Sequence, residues 1–234
     1  MKNLMQFILL VMFVVVSIFL GTYFDHMWQQ EKLQQANLYI FPSEKTFISP
    51  DEVKKMIIIK DSINRNVSID SLEKILENNA YISNAEVYKD LNGKLITEIE
   101  QYKPIARILG SKSYYIDIDG MEKPLSNHYT ERVVLVFGDL PAADKPAIIA
   151  LLKKIYQDKE LNEMISEIHL KNKYIYLKIN GLKSNVVVEM NDKIDRQLYK
   201  LKIINTYLLS HNLENKYREI DVRFENQVVC KKQN

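Results

Sequence analysis

From Leu4 to Phe24 the chain carries no charge, and from Phe7 to Leu20 it is apolar except for Ser17. About 20 residues are therefore available to cross ~30 Å of hydrocarbon. A signal peptide needs a short apolar core and small residues ahead of the cut, whereas this run is long and ends in Gly21-Thr22-Tyr23-Phe24, with no A-x-A-like site. The expectation is an uncleaved single transmembrane helix over residues 4–24, with Tyr23, Phe24 and Trp28 at the interface. Lys2 precedes the run and Asp25 follows it, which orients residues 1–3 as a short cytoplasmic tail. The rest of the chain then lies on the periplasmic side, beginning with a Gln-rich stalk over 25–37.

Beyond that run the composition is ordinary for folding: 234 residues, 47% hydrophobic and 26% charged, enough for one or two modest domains. The net charge of +2 comes from interspersed basic and acidic residues, so the clustered Lys and Arg of a nucleic-acid footprint are missing and no nucleic-acid partner is expected. Cys230 stands alone, which excludes an intramolecular disulfide framework and a Cys-based zinc site.

Leu38 to Ile48 reads as an edge strand broken at Pro42, and Ser49 as the cap of a helix opening at Pro50, with Val53, Met56 and Ile57 on one face. Asp70, with Glu73 three residues on, reads as a capping box for a second helix bearing Leu72, Ile75 and Leu76. A strand with Ala85 and Val87 on one face follows. Asn92-Gly93 then signals a type I′ turn, and a return strand puts Leu95, Thr97 and Ile99 inward and Glu98 and Glu100 outward. The order is β-α-α-β-β over residues 38–105.

A second region over 106–234 reads as strands Ile105 to Leu109, Tyr114 to Ile118, Met121 to Leu125 and Arg132 to Phe137. A helix near Pro146 then carries Ile148, Leu151, Leu152 and Ile155. Three alternating strands follow, Ile165 to Leu170, Tyr174 to Ile179 and Asn185 to Met190. Asp192 reads as the cap of a long helix whose Ile194, Leu198, Leu201, Ile204 and Leu208 face a sheet while Lys193, Arg196 and Lys200 stay wet, and Ile220 to Cys230 as one closing strand. The expected fold class is α+β: a transmembrane helix, the β-α-α-β-β unit, then a multi-stranded, mainly antiparallel sheet with two helices.

The phrase Tyr81-Ile82-Ser83-Asn84-Ala85-Glu86-Val87, the hairpin, and the strand end Glu100-Gln101-Tyr102-Lys103-Pro104-Ile105-Ala106 resemble the POTRA domain of the bacterial cell-division family FtsQ/DivIB. The Tyr114 to Gly120 hairpin, the two helices and the closing Asp221-Val222-Arg223-Phe224 resemble that family's β domain, Phe224 standing where tyrosine is usual. The resemblance implies a non-enzymatic bitopic inner-membrane scaffold concentrated at the division septum. It would bind division proteins of the FtsB and FtsL type, meet other divisome components through the POTRA domain, and help to regulate septal peptidoglycan synthesis. It also implies a partner site of Asp221, Arg223, Phe224, Asn226, Val228 and Val229, with Arg223 matching an arginine that pairs with an acidic partner residue.

No cofactor is expected. His26, His128, His169 and His211 are scattered without a metal-binding spacing, and Asp117-x-Asp119-Gly120 places its glycine too early for a calcium loop, so a hairpin turn is expected there. Glu98 and Glu100 lie outward on a strand, where carboxylates serve solubility rather than catalysis. Two alternatives remain open from the residues alone: a membrane-anchored envelope hydrolase or cell-wall-binding domain, and a POTRA-type assembly or secretion factor.

Overall fold

The computed structural model describes residues 11–24, 37–41, 45–63, 68–91, 95–171 and 174–233, and the chain divides into two compact units, residues 1–101 and 102–234. The tail over 1–3, most of the 25–37 stalk, His26, Pro42 and the Asn92-Gly93 turn lie outside the described residues.

Residues 11–24 form a helix, α1, in which the Ser17 and Thr22 hydroxyls donate to the Phe13 and Phe19 carbonyls, both at 2.9 Å. Among the described residues no helix is long and apolar enough to cross a membrane. This overturns the expected spanning helix over 4–24, and the single-pass inner-membrane placement drawn from it is not supported.

The first unit continues with β1 (Asn37–Phe41), α2 (Pro50–Ile63), α3 (Ile69–Glu77), β2 (Ile82–Lys89) and β3 (Leu95–Gln101). Its sheet runs β1-β3-β2, with β1 parallel and β2 antiparallel to β3. One face packs on the helices: Val53, Ile57, Leu72 and Leu76 meet Ala85, Val87, Leu95 and Ile99, all buried. Ser49 caps α2 as expected, its Oγ accepting from the Glu52 amide at 3.2 Å while Glu52 Oε2 accepts from the Ser49 amide at 2.9 Å. The expected Asp70–Glu73 box does not form. Ser68 caps α3 instead, accepting from the Ser71 amide at 3.3 Å, and Glu73 is left to reach the β2 backbone.

The second unit contains β4 (Pro104–Leu109), β5 (Ser113–Asp117), β6 (Glu122–Lys123), β7 (Val134–Phe137), α4 (Lys145–Gln157), α5 (Lys159–Met164), β8 (Ile165–Lys171), β9 (Tyr174–Ile179), β10 (Asn185–Val188), α6 (Ile194–Ser210), β11 (Tyr217–Asp221) and β12 (Val229–Lys232). They build one nine-stranded sheet in the order β12-β11-β10-β9-β8-β7-β4-β5-β6.

Two expectations about this unit are corrected. The sheet is mixed, because β4–β7, β7–β8 and β10–β11 are parallel. A parallel neighbour requires a crossover, which α4 with α5 supplies for β7–β8 and α6 for β10–β11. Among the described residues there are also three helices rather than two. The short α5 is capped by Asp158, whose Oδ1 accepts from the Leu161 amide at 3.1 Å, and its six residues are too few to show a period. The cap expected at Asp192 is replaced by a turn in which Asn191 Oδ1 accepts from the Lys193 amide at 3.0 Å. Buried Gln197 ties α6 to the end of β10, donating to the Glu189 carbonyl and accepting from the Glu189 amide, both at 2.9 Å.

The Asp117-x-Asp119-Gly120 stretch is the expected hairpin turn: Asp117 Oδ1 accepts from the Asp119 and Met121 amides at 3.0 and 2.8 Å. Gly120 sits at φ +88°, with Ile149 3.0 Å from where a Cβ would lie. Gly120→Ala is predicted to destabilise the second unit by about 1–2 kcal/mol, read by denaturant unfolding. Leu76→Asp, which buries a carboxylate where the side chain is 0% exposed, is predicted to cost about 4 kcal/mol or more. Loss of amide-exchange protection in residues 69–101, with residues 104–232 unaffected, is the expected readout.

Candidate partner-binding edge

Alternation predicts a single closing strand from Ile220 to Cys230, but the chain breaks it in two. β11 ends at Asp221, residues 222–228 form a connection, and β12 begins at Val229 and runs back antiparallel with Asp221 opposite Val229. The break has an electrostatic cause. Asp221 is 4% exposed, and its Oδ1 accepts from the Arg223 amide at 3.1 Å and from Arg223 Nε at 2.9 Å, while Oδ2 accepts from Arg223 Nη2 at 2.5 Å. A carboxylate bonded to the residue two positions ahead turns the backbone, as in an Asx-turn.

The Arg223 guanidinium also lies over the Tyr174 ring of β9, 4.1 Å from its centroid. Burial pushes the Asp221 carboxyl up, but the Arg223 side-chain and backbone hydrogen bonds and its charge together outweigh burial, and the pKa ends below the ordinary aspartate value. Arg223 is held above its own usual value, first by the Asp221 hydrogen bond. Two sides of this guanidinium, Nε and Nη2, are therefore engaged within the fold.

The connection is then tied to α6. Lys200 Nζ donates to the Phe224 carbonyl, Arg196 Nη2 donates to Asn226 Oδ1 at 3.0 Å, and Lys193 and Arg196 approach Glu225 at 3.5 and 3.6 Å. Lys193 and Arg196 stay solvated as expected, while Lys200 is half-buried. Their i, i+3, i+7 spacing places them on one stripe of the helix, and that stripe meets the connection. Burial, followed by repulsion from Arg196, lowers the Lys200 pKa. With its backbone held this way, the Phe224 ring stays 45% exposed.

The six expected site residues thus divide by environment. Asp221 and Arg223 form an internal pair, Phe224 and Asn226 sit on the clamped connection, and Val228 packs partly on the core. Val229 opens β12, which pairs with β11 on one side and is the last strand of the sheet order. Tyr174 and the clamping Lys193, Arg196 and Lys200 are the residues that reading along the chain missed, since their partners lie 24 to 49 positions away.

Among the described residues no group of His, Cys, Asp and Glu is arranged to hold a metal ion. His169 pairs with Glu167 at 2.7 Å and stacks on Phe137, and His211 stacks on Tyr207. Glu98 accepts from the Tyr88 hydroxyl at 2.6 Å on the face of its sheet away from the helices.

The comparison with curated proteins finds no match. The family model described as FtsQ/DivIB, C-terminal related, matches residues 103–231, from the first residues of the nine-stranded sheet to its last strand. That span is more than half of the chain, and with it the chain belongs to the FtsQ/DivIB, C-terminal related family of cell-division proteins.

Proposed function

We propose that this protein is a non-enzymatic scaffold of the division machinery. It gathers proteins of the FtsB and FtsL type at the septum and through them helps to regulate septal peptidoglycan synthesis. The first compact unit acts in this reading as a POTRA domain that receives other divisome components. The edge of β12, together with the clamped connection and α6, receives an FtsB-type segment by strand addition.

The observation that carries this reading is the free edge of β12. Among the described residues no strand pairs with its outer side, and Cys230, at the end of a buried row, is only partly covered. An added strand would complete that row with an apolar side chain next to Cys230. Exposed Lys232 on β12, next to the Lys231–Glu219 pair, favours an acidic partner segment. In this arrangement Phe224 is the aromatic anchor, Asn226, Val228 and Val229 shape the surface around it, and Asp221 with Arg223 positions the corner.

The test is binding of an FtsB-type segment to the full chain, measured by calorimetry. Phe224→Lys removes the anchor without touching the core, and we expect binding to weaken by roughly tenfold or more with an unchanged melting temperature. Undiminished binding by the folded variant would remove the ring from the interface. Arg223→Glu serves as the contrasting variant. It sets a second carboxylate against buried Asp221, so it should destabilise the second unit by about 2–4 kcal/mol, the lower end reflecting the partial exposure of Arg223. Depletion of the protein should give filamentous cells with unfinished septa.

A further inference from the structure

The side chains of Tyr199, Ile203 and Tyr207 on α6 are each half exposed or more. The core takes another line of the same helix, through Ile194, Leu198, Leu201 and Leu208, and among the described residues none of the three packs on it. Exposed apolar residues scattered singly are ordinary on a protein surface. These three recur at every fourth position, where helix residues are neighbours, so their side chains form one continuous ridge.

The same row continues to Asp195 at one end and to His211 at the other, both exposed. Asp195 Oδ1 accepts from Lys154 Nζ at 2.6 Å, which leaves Oδ2 for a second donor. His211 stacks on Tyr207 with ring centroids 4.2 Å apart and engages the Tyr207 carbonyl through Nδ1 at 2.9 Å, which leaves Nε2 for a partner. Read from either end, the row is an ionisable group, Tyr, Ile, Tyr and an ionisable group. Its two ends are complementary, a carboxylate and an imidazole.

In a two-fold contact residue i meets residue j and j meets i. A second copy laid antiparallel on this row sets Tyr199 beside Tyr207, Ile203 beside Ile203 and Asp195 beside His211. Tyrosine suits such a seam, because its apolar ring is covered while its hydroxyl stays wet at the rim. A parallel copy would set Asp195 against Asp195 and align the two helix macrodipoles, whereas an antiparallel copy opposes them. Rows of this i, i+4 spacing interdigitate at a crossing angle of about −50°, the commonest class in globular proteins.

We propose that the outer ridge of α6 is a self-docking surface, on which a second copy of this chain packs antiparallel about Ile203 with Asp195 of each copy against His211 of the other. The contact does not use the β12 edge. A single crossed helix pair covers less than the ~1,200 Å² of a stable complex, so the dimer is weak and concentration-dependent.

The experiment is sedimentation of the full chain from micromolar to millimolar concentration, with the fold of each variant checked by its melting temperature. The parent chain should move from monomer toward dimer as concentration rises. Ile203→Asp, at an exposed position, sets two carboxylates together on the two-fold axis and should weaken dimerisation by roughly tenfold or more without lowering the melting temperature. Asp195→Lys and His211→Asp should each weaken it, and the chain carrying both should recover it, because the exchanged charges again face each other. A chain that stays monomeric at every concentration, association that survives in a folded Ile203→Asp variant, or a double exchange that fails to recover dimerisation would each overturn the proposal.

Discussion

A single row of side chains holds the second unit together. Ile108, Val136, Ile168, Leu177, Val186 and Ile220 are register partners across six successive strands, and every one is 0% exposed. Strand alternation puts them all on the face covered by α4, α5 and α6, and each fully buried side chain contributes about 1.5–3 kcal/mol. A register slip of one residue in any strand would turn its member of the row to the other face, so the row sets the register as well as the stability. It continues to Cys230 on β12, where cover from the helices thins and burial still raises the thiol pKa.

A row that ends at an uncovered strand has consequences for binding. The sheet could not be extended past β11 if the chain ran straight from Ile220 to Cys230. The Asp221–Arg223 pair folds it back, so the final residues become an added strand and the edge moves outward to β12. The cost of burying that carboxylate is offset by three hydrogen bonds and the stack on Tyr174. The three cations of α6 then hold the connection so that an aromatic ring faces outward. Recognition in this reading therefore depends on an ion pair that also shapes the fold.

Much of this was legible along the chain because it is local or periodic. The buried faces of α3 and α4, the Ser49 cap, the Asp117 to Gly120 turn and the β8-β9-β10 meander all follow from spacing that a one-dimensional reading detects. Leu95, Thr97 and Ile99 are buried, as their alternation requires. Where reading failed, a partner distant in sequence had taken over a group. Glu73 fits a capping box with Asp70, yet the Val87 amide fourteen residues away binds it, and Ser68 takes the cap. Lys193 and Arg196 stay exposed, as a wet face requires, but Lys200 is half-buried against the Phe224 carbonyl twenty-four residues on. The uncharged N-terminal run fits a span by hydropathy, yet among the described residues no helix is long and apolar enough to cross a membrane.

The sequence alone determined the element types, the inward face of most strands and helices, and the resemblance to a division family that the match over residues 103–231 bears out. These rest on local periodicity and on short motifs, both of which survive without coordinates. The tertiary structure alone decided strand order, which neighbours run parallel, where β11 gives way to β12, and therefore which strand is left at the edge. Those outcomes depend on pairing between segments tens of residues apart, and on one buried carboxylate whose cheapest partner lies two residues ahead of it.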